Sequence, residues 1–226
     1  MEILLLTGLL TGMLHVISGP DHLSAVAPFI LDSRSKGWFV GMFWGIGHSL
    51  GVWGIGLLAF LFREFIPVEL LSAWSERLVG VVLIAIGIWG LRRAYTQRLH
   101  IHVHRHDDLE HAHFHLHGAS DQHSHDNASH EHSHAPLGVG VLHGLAGSSH
   151  LLGVLPALML PTRLASFLYV VSFGIGSIIG MTFFAWVVNK FSLKLIEKHA
   201  YSYTYLMYGF SALAMAVGGF WIFQSF

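Results

Sequence analysis

The chain has 226 residues, 53% of them hydrophobic and 11% charged, with a formal net charge of −1 and a mean hydropathy of +0.57. Soluble domains carry about 25% charged residues, so this composition excludes an ordinary soluble domain, and the near-neutral charge offers no basic footprint for nucleic acid. There is no cysteine, which excludes disulfide staples, thiolate metal sites and thiol redox relays.

Six apolar segments, at 3–31, 37–62, 70–91, 137–160, 164–188 and 203–223, are predicted as transmembrane helices. About 18 or more apolar residues suffice to cross a bilayer core, and no alternating pattern within these segments suggests a membrane barrel. The apolar N-terminus, MEILLLTGLLTG, lacks a basic leader and reads as a retained span rather than a cleaved signal. The first span is interrupted by HVISGPDH, which places His15, Asp21 and His22 around Gly19-Pro20. In a continuous helix Pro20 has no N–H to offer and its ring clashes with the Val16 carbonyl. The second span carries His48 among many glycines, small residues that let membrane helices approach closely.

Between the third and fourth spans, 95–136 is strongly polar and holds thirteen of the nineteen histidines, many alternating: His100, His102, His104, His106, His111, His113, His115 and His117. With almost no apolar content, the segment is expected to be disordered without metal. Histidine-rich tracts bind nickel, cobalt, copper and zinc weakly and with little discrimination. The bland reading is a solubilising spacer; the sharper one is a cytoplasmic metal-capture arm.

The fourth span opens on an echo of the first. GMLHVISGPDHLSAVAP and GVLHGLAGSSHLLGVLP align without a gap at an offset of 128, matching His15 with His143, Gly19 with Gly147, His22 with His150, and Pro28 with Pro156. After a one-residue slip Arg34 meets Arg163, and GIGHSLG meets GIGSIIG. The second copy has Ser149 for Asp21 and Ser177 for His48, and Gly147 marks a second, weaker break. Three spans per copy is an odd number, so the halves enter the membrane from opposite sides. This predicts an all-α integral membrane protein of two inverted three-helix repeats with broken first helices, an architecture that places binding sites at the repeat interface. The divisions are 1–94, the histidine-rich 95–136, and 137–226. Arg34, Lys36, Arg92, Arg93, Arg98, Arg105, Lys190, Lys194 and Lys198 fall on one side and Arg63, Arg77 and Arg163 on the other. The positive-inside rule then puts both termini outside the cytoplasm and the histidine segment inside, in a plasma or organellar membrane. Pro28 and Pro156 read as kinks, Arg34 and Arg163 as interfacial anchors, and the Trp and Phe residues as packing or lipid-facing.

Ionisable residues within a bilayer are costly and tend to line pathways. A single intramembrane histidine is as readily a helix–helix hydrogen-bond partner. His15, Asp21, His22, His48, His143 and His150 together, four of them at matched repeat positions, favour a metal site. Imidazole with carboxylate suits divalent first-row metals. On a straight helix His15 and His22 would stand about 10.5 Å apart along the axis, so the break at Gly19-Pro20 has the task of bringing them together. Asp21 is then a ligand or the partner that orients an imidazole.

HVISGPDH resembles the H-P-x-x-G-x-D-H signature of the HupE/UreJ nickel permeases, with Val16 in place of Pro, and is similar to the H-x4-D-H motif of nickel–cobalt transporters, one residue longer. The histidine-rich segment resembles that of the nickel/cobalt efflux proteins of the wider NicO group. The resemblance implies metal recognition by His15, Asp21 and His22. It leaves the direction open, since the motif is that of uptake permeases and the segment that of efflux proteins. The expected function is a transporter of a divalent metal, nickel or cobalt favoured over zinc, iron and manganese, working by alternating access. The alternatives are a non-transporting metal-delivery accessory protein, which would pass metal to a cytoplasmic partner, and a bis-histidine haem protein. No prosthetic group and no enzymatic activity are expected, and the absence of a GxxxxGK[ST] loop speaks against ATP hydrolysis by this chain.

Overall fold

The structure, a computed structural model, describes residues 1–33, 36–61, 68–96, 98–106, 109–117, 134–146, 156–157, 159–199 and 201–226. The first apolar segment forms two helices, α1 (Glu2–Ser18) and α2 (Pro20–Ser33), meeting at 71°. Gly19 between them is extended, at φ −81° and ψ 109°. Pro20 is the first residue of α2, where a missing N–H has no helical partner to lose. The other helices are α3 (Gly37–Leu61), α4 (Val68–Thr96), α5 (Ala135–Ala146), α6 (Arg163–Lys198) and α7 (Ser202–Gln224). Among the described residues three helices are long and apolar enough to cross a membrane, or four if the bent pair α1–α2 is one span.

The bundle exposes large apolar side chains and buries a set of polar ones within its apolar core. Ile3, Leu6, Leu14, Leu57, Trp74, Phe167, Phe183, Phe191 and Phe220 are exposed, while Asp21, His22, His48, His143, Ser177 and Asn189 are buried. In water this would be an aggregation surface; in lipid it is the surface that the bilayer solvates. The chain is an all-helical membrane protein in its body, as the composition predicts.

The extensive helix contacts join the two halves of the chain: α1 with α6, α3 with α5 and α6, and α4 with α7. Glycines let these backbones touch. A methyl group at Gly12 would run into the Phe173 carbonyl, and one at Gly140 into the Trp44 carbonyl. The short α2 lies among all the others and packs Val26 and Ile30 against Trp44, Met181 and Ala185.

Two elements differ from expectation. The fifth span extends ten residues beyond Val188, so that α6 has 36 residues and, at about 1.5 Å per residue, is about 54 Å long. Hydropathy marks where a helix leaves an apolar core of about 30 Å, not where it stops; Lys190, Lys194 and Lys198 ride on its continuation. In the second, part of the segment expected to be disordered forms an antiparallel ribbon, β1 (Arg98–His106) paired with β2 (Leu109–His117). The apolar residues there are few but strictly alternate with histidine, Leu99, Ile101 and Val103 against Ala112, Phe114 and Leu116, and that alternation is a strand signal.

Candidate metal centre

The bend at Gly19 turns the first residues of α2 back onto α1. The rings of His15 and His22 come within 4.7 Å, centroid to centroid, whereas a straight helix would separate them by about 10.5 Å along its axis. Gly19 is required for this: a Cβ there would strike the His22 ring and stand 2.8 Å from Asp21 Oδ1. α3 brings His48 to 5.1 Å from His22, and α5 brings His143 to 4.8 Å on another side. Four imidazoles and one carboxylate, carried by four helices, thus meet at one place. His22, His48 and His143 are each at most 1% exposed and Asp21 3%, which places the cluster out of contact with bulk solvent; His15 is half-buried.

Asp21 links the two halves of the chain. Its Oδ2 accepts from His143 Nε2 at 3.1 Å, and its Oδ1 lies 3.2 Å from His22 Nδ1. An aspartate at the centre of a membrane helix costs about 2.5–3.5 kcal/mol to insert, so a lone buried carboxylate would be expelled or protonated. Two imidazoles offset that cost, and a cation would offset it further.

Two overlapping donor sets share His22. One nitrogen each from His15, His22 and His48, and one atom each from Asp21, His22 and His143, lie within 4.8 Å of one another in each set. Two nitrogens on one tetrahedral ion with bonds of about 2.0–2.1 Å stand about 3.3 Å apart, so modest ring rotations would close either set. His150 and Gly147 lie outside the described residues, as does Arg34. Ser177, the counterpart of His48, turns away and donates to the Phe173 and Gly12 carbonyls at 3.0 and 3.4 Å.

The sequence does not single out Trp44. It stacks on His48 at 5.0 Å with only 9° between the planes, and also meets the edges of His22 and His143. The available signal is its spacing: four residues before His48 on one helix places the two on one face. Its indole N–H is buried without a hydrogen-bond partner among the described residues. Phe173 of α6 covers His15 at 5.4 Å. These two rings form an apolar wall beside the donors.

An all-α bundle that buries histidines and exposes large apolar side chains defines an integral membrane protein. Among curated proteins, the chain is similar to two from Arabidopsis thaliana, Chloroplast protein FOR GROWTH AND FERTILITY 1 (33% identical over 193 residues, 85% of this chain and 51% of the relative) and Chloroplast protein FOR GROWTH AND FERTILITY 2 (33% over 213 residues, 94% and 54%). It is also similar to Urease accessory protein UreH of Bacillus sp. (strain TB-90), 29% identical over 198 residues, 82% of this chain and 76% of the relative. The chain spans about half the length of the two chloroplast proteins. None of the three names describes a catalyst. No family model and no solved structure matches the chain.

Proposed function

We propose that the protein transports a divalent first-row transition-metal ion, nickel or cobalt favoured, through the cluster of His15, Asp21, His22, His48 and His143. The observation that carries this reading is the convergence of four imidazoles and one carboxylate inside an apolar bundle, with donor atoms within 4.8 Å in each of two sets. Nitrogen-rich donors without thiolate suit nickel, cobalt, copper and zinc and hold an ion in a way that still permits release. Asp21 supplies the negative charge, and its bond to His143 fixes that ring's tautomer and aim. His150 is a further donor in this reading, and His100, His102, His104, His106, His111, His113, His115 and His117 form a cytoplasmic capture arm.

Alternating access follows from an inverted repeat of six spans, and the packing supports such a repeat. At the alignment offsets of 128 and 129, Gly12 on Phe173 corresponds to Gly140 on Trp44, Gly176 on Leu9 to Gly47 on Leu137, and Gly180 on Met13 to Gly51 on Val141. Every one of these contacts recurs with the halves exchanged, as in the self-complementary interface of a two-fold dimer.

The test is ion flux into proteoliposomes of known orientation, with nickel, cobalt, zinc, iron and manganese in turn and in both directions. Flux of one or more of these ions that Asp21→Ala abolishes in a folded protein is the expected result. A protein that moves none of them while binding them in detergent sinks the transport reading and leaves metal delivery, which the name of the urease accessory relative favours. A bis-histidine haem is disfavoured by the crowding of the rings, since His22 lies within 5.1 Å of His15, His48 and His143; a Soret band in the purified protein would revive it.

A further inference from the structure

The five donors of the bundle fall into two sets that differ in origin as well as in place. His15, His22 and His48 all come from the first half of the sequence, whereas the second set joins Asp21 and His22 to His143 of the other half. His22 stands between them. Its ring centre is 4.7 Å from that of His15, 5.1 Å from that of His48 and 4.8 Å from that of His143, while His48 and His143 are 6.2 Å apart. The sets also differ in charge and exposure. The first has three imidazoles and no carboxylate, and includes the half-buried His15. The second contains Asp21 and is buried throughout.

We propose that the two sets are successive positions for a single metal ion, which His22 hands from the first half of the chain to the boundary between the halves. A neutral imidazole carries a lone pair on one nitrogen and a proton on the other, so His22 serves one ion at a time and the two positions exclude each other. The ion enters at His15, the most exposed of the five donors. At the hand-over its bonds to His15 and His48 break, the bond to His22 is kept, and bonds to Asp21 and His143 form. The retained ligand matters because an ion stripped of all its donors among apolar side chains is prohibitively costly. The carboxylate sets the order of the positions, since a dication is held more firmly by a set that contains an anion than by one that does not. At the second position the halves are already joined, by the 3.1 Å bond from His143 Nε2 to Asp21 Oδ2, so an ion arriving there meets both at once. Trp44 lies against His22, His48 and His143, at 5.5, 5.0 and 5.5 Å between ring centres. Its indole has an N–H and no lone pair to offer, so it lines both positions and ligates in neither.

The hand-over rests on the reading of the cluster as a metal pathway, and the experiment separates the two. Cobalt(II) is the probe, on the full chain in lipid nanodiscs. Bound cobalt is counted by equilibrium dialysis as the excess over His22→Ala, which lacks both positions and keeps every other histidine. His48→Asn leaves Asp21, His22 and His143 as the one complete set; His143→Asn leaves His15, His22 and His48. The expected excess is one cobalt per chain in the wild type and in each variant. X-ray absorption difference spectra against His22→Ala should show two imidazoles on the ion in His48→Asn and three in His143→Asn. Cobalt flux in proteoliposomes should fall about 10–100-fold in both, because each keeps one position and lacks the other. Two cobalt ions in the wild type, no excess in either variant, the same imidazole count in both, or wild-type flux in either overturns the hand-over. A wild type that binds no more cobalt than His22→Ala overturns the metal pathway itself. Where one of these substitutions prevents folding, His15→Asn disables the first set and Asp21→Asn the second, with the same outcomes expected for stoichiometry and flux.

Discussion

The protein holds two groups of histidines built in opposite ways. In the bundle, His15, His22, His48 and His143 come from three separate stretches of chain and are fixed by packing, with Trp44 and Phe173 against them and Asp21 between them. In the ribbon, the histidines are neighbours in sequence and are aligned by backbone pairing alone. The first arrangement sets the donors before an ion arrives and surrounds them with apolar walls, which is what discrimination among ions requires. The second is regular and repetitive along the backbone. The same residue type is thus held by helix packing in one region and by strand pairing in the other.

The largest effect should come from disturbing the packing that assembles the bundle site. Gly140→Leu drives a side chain into the Trp44 carbonyl. Overpacking costs about 1–3 kcal/mol where side chains can shift, and a helix backbone yields less. We expect little monodisperse protein on size-exclusion chromatography, whereas Gly138→Ala, with open space around it, should behave as wild type. Next, His22→Ala removes the residue common to both donor sets. Flux should fall about 100-fold or more, the upper end of what losing even an outer-shell partner costs, while zinc binding by the ribbon is retained; equal loss of both would erase the distinction between the two groups. Trp44→Leu should weaken apparent metal affinity about 10-fold by freeing the His48 ring, measured as the half-saturating ion concentration for flux in a protein of unchanged melting temperature. Deleting residues 98–117 should raise that concentration only a few-fold and leave the maximal rate near wild type, and complete loss of flux in a folded deletion would make the ribbon part of the pathway. The smallest effect is expected of Arg93→Ala. It breaks a 2.7 Å bond to Asp32 that ties α4 to α2 but is well exposed, and such pairs contribute about 0–1 kcal/mol, a shift of a degree or two by thermal melting.

Much of the bundle site is legible in the sequence because polar residues stand out in an apolar span. Gly19-Pro20 announces the bend, and the echo in the fourth span announces His143. Trp44 is hidden by the same logic, since an aromatic ring in a membrane helix is ordinarily packing and only its four-residue spacing from His48 tells otherwise. The glycines of α1, α3, α5 and α6 read as close-packing positions, but their partners do not, because each lies on a helix about 90 to 170 residues away in sequence. The ribbon escapes because its total apolar content is low; the order of those residues, not their number, makes the strand. The end of α6 escapes because hydropathy reports the solvent around a helix and not its hydrogen bonds.

The crosswise packing of the helices has a consequence for how the protein is made. The main partner of α1 is α6, and that of α4 is α7, so a helix inserted early waits until most of the chain has been synthesised before it finds the surface it was shaped for. Until then the paired Asp21 and His143 are apart, and the acid has no answering base from the second half. The two halves are thus less like consecutive domains than like two subunits that happen to share a polypeptide. Cut within the histidine segment and co-expressed, they should reassemble by the same contacts.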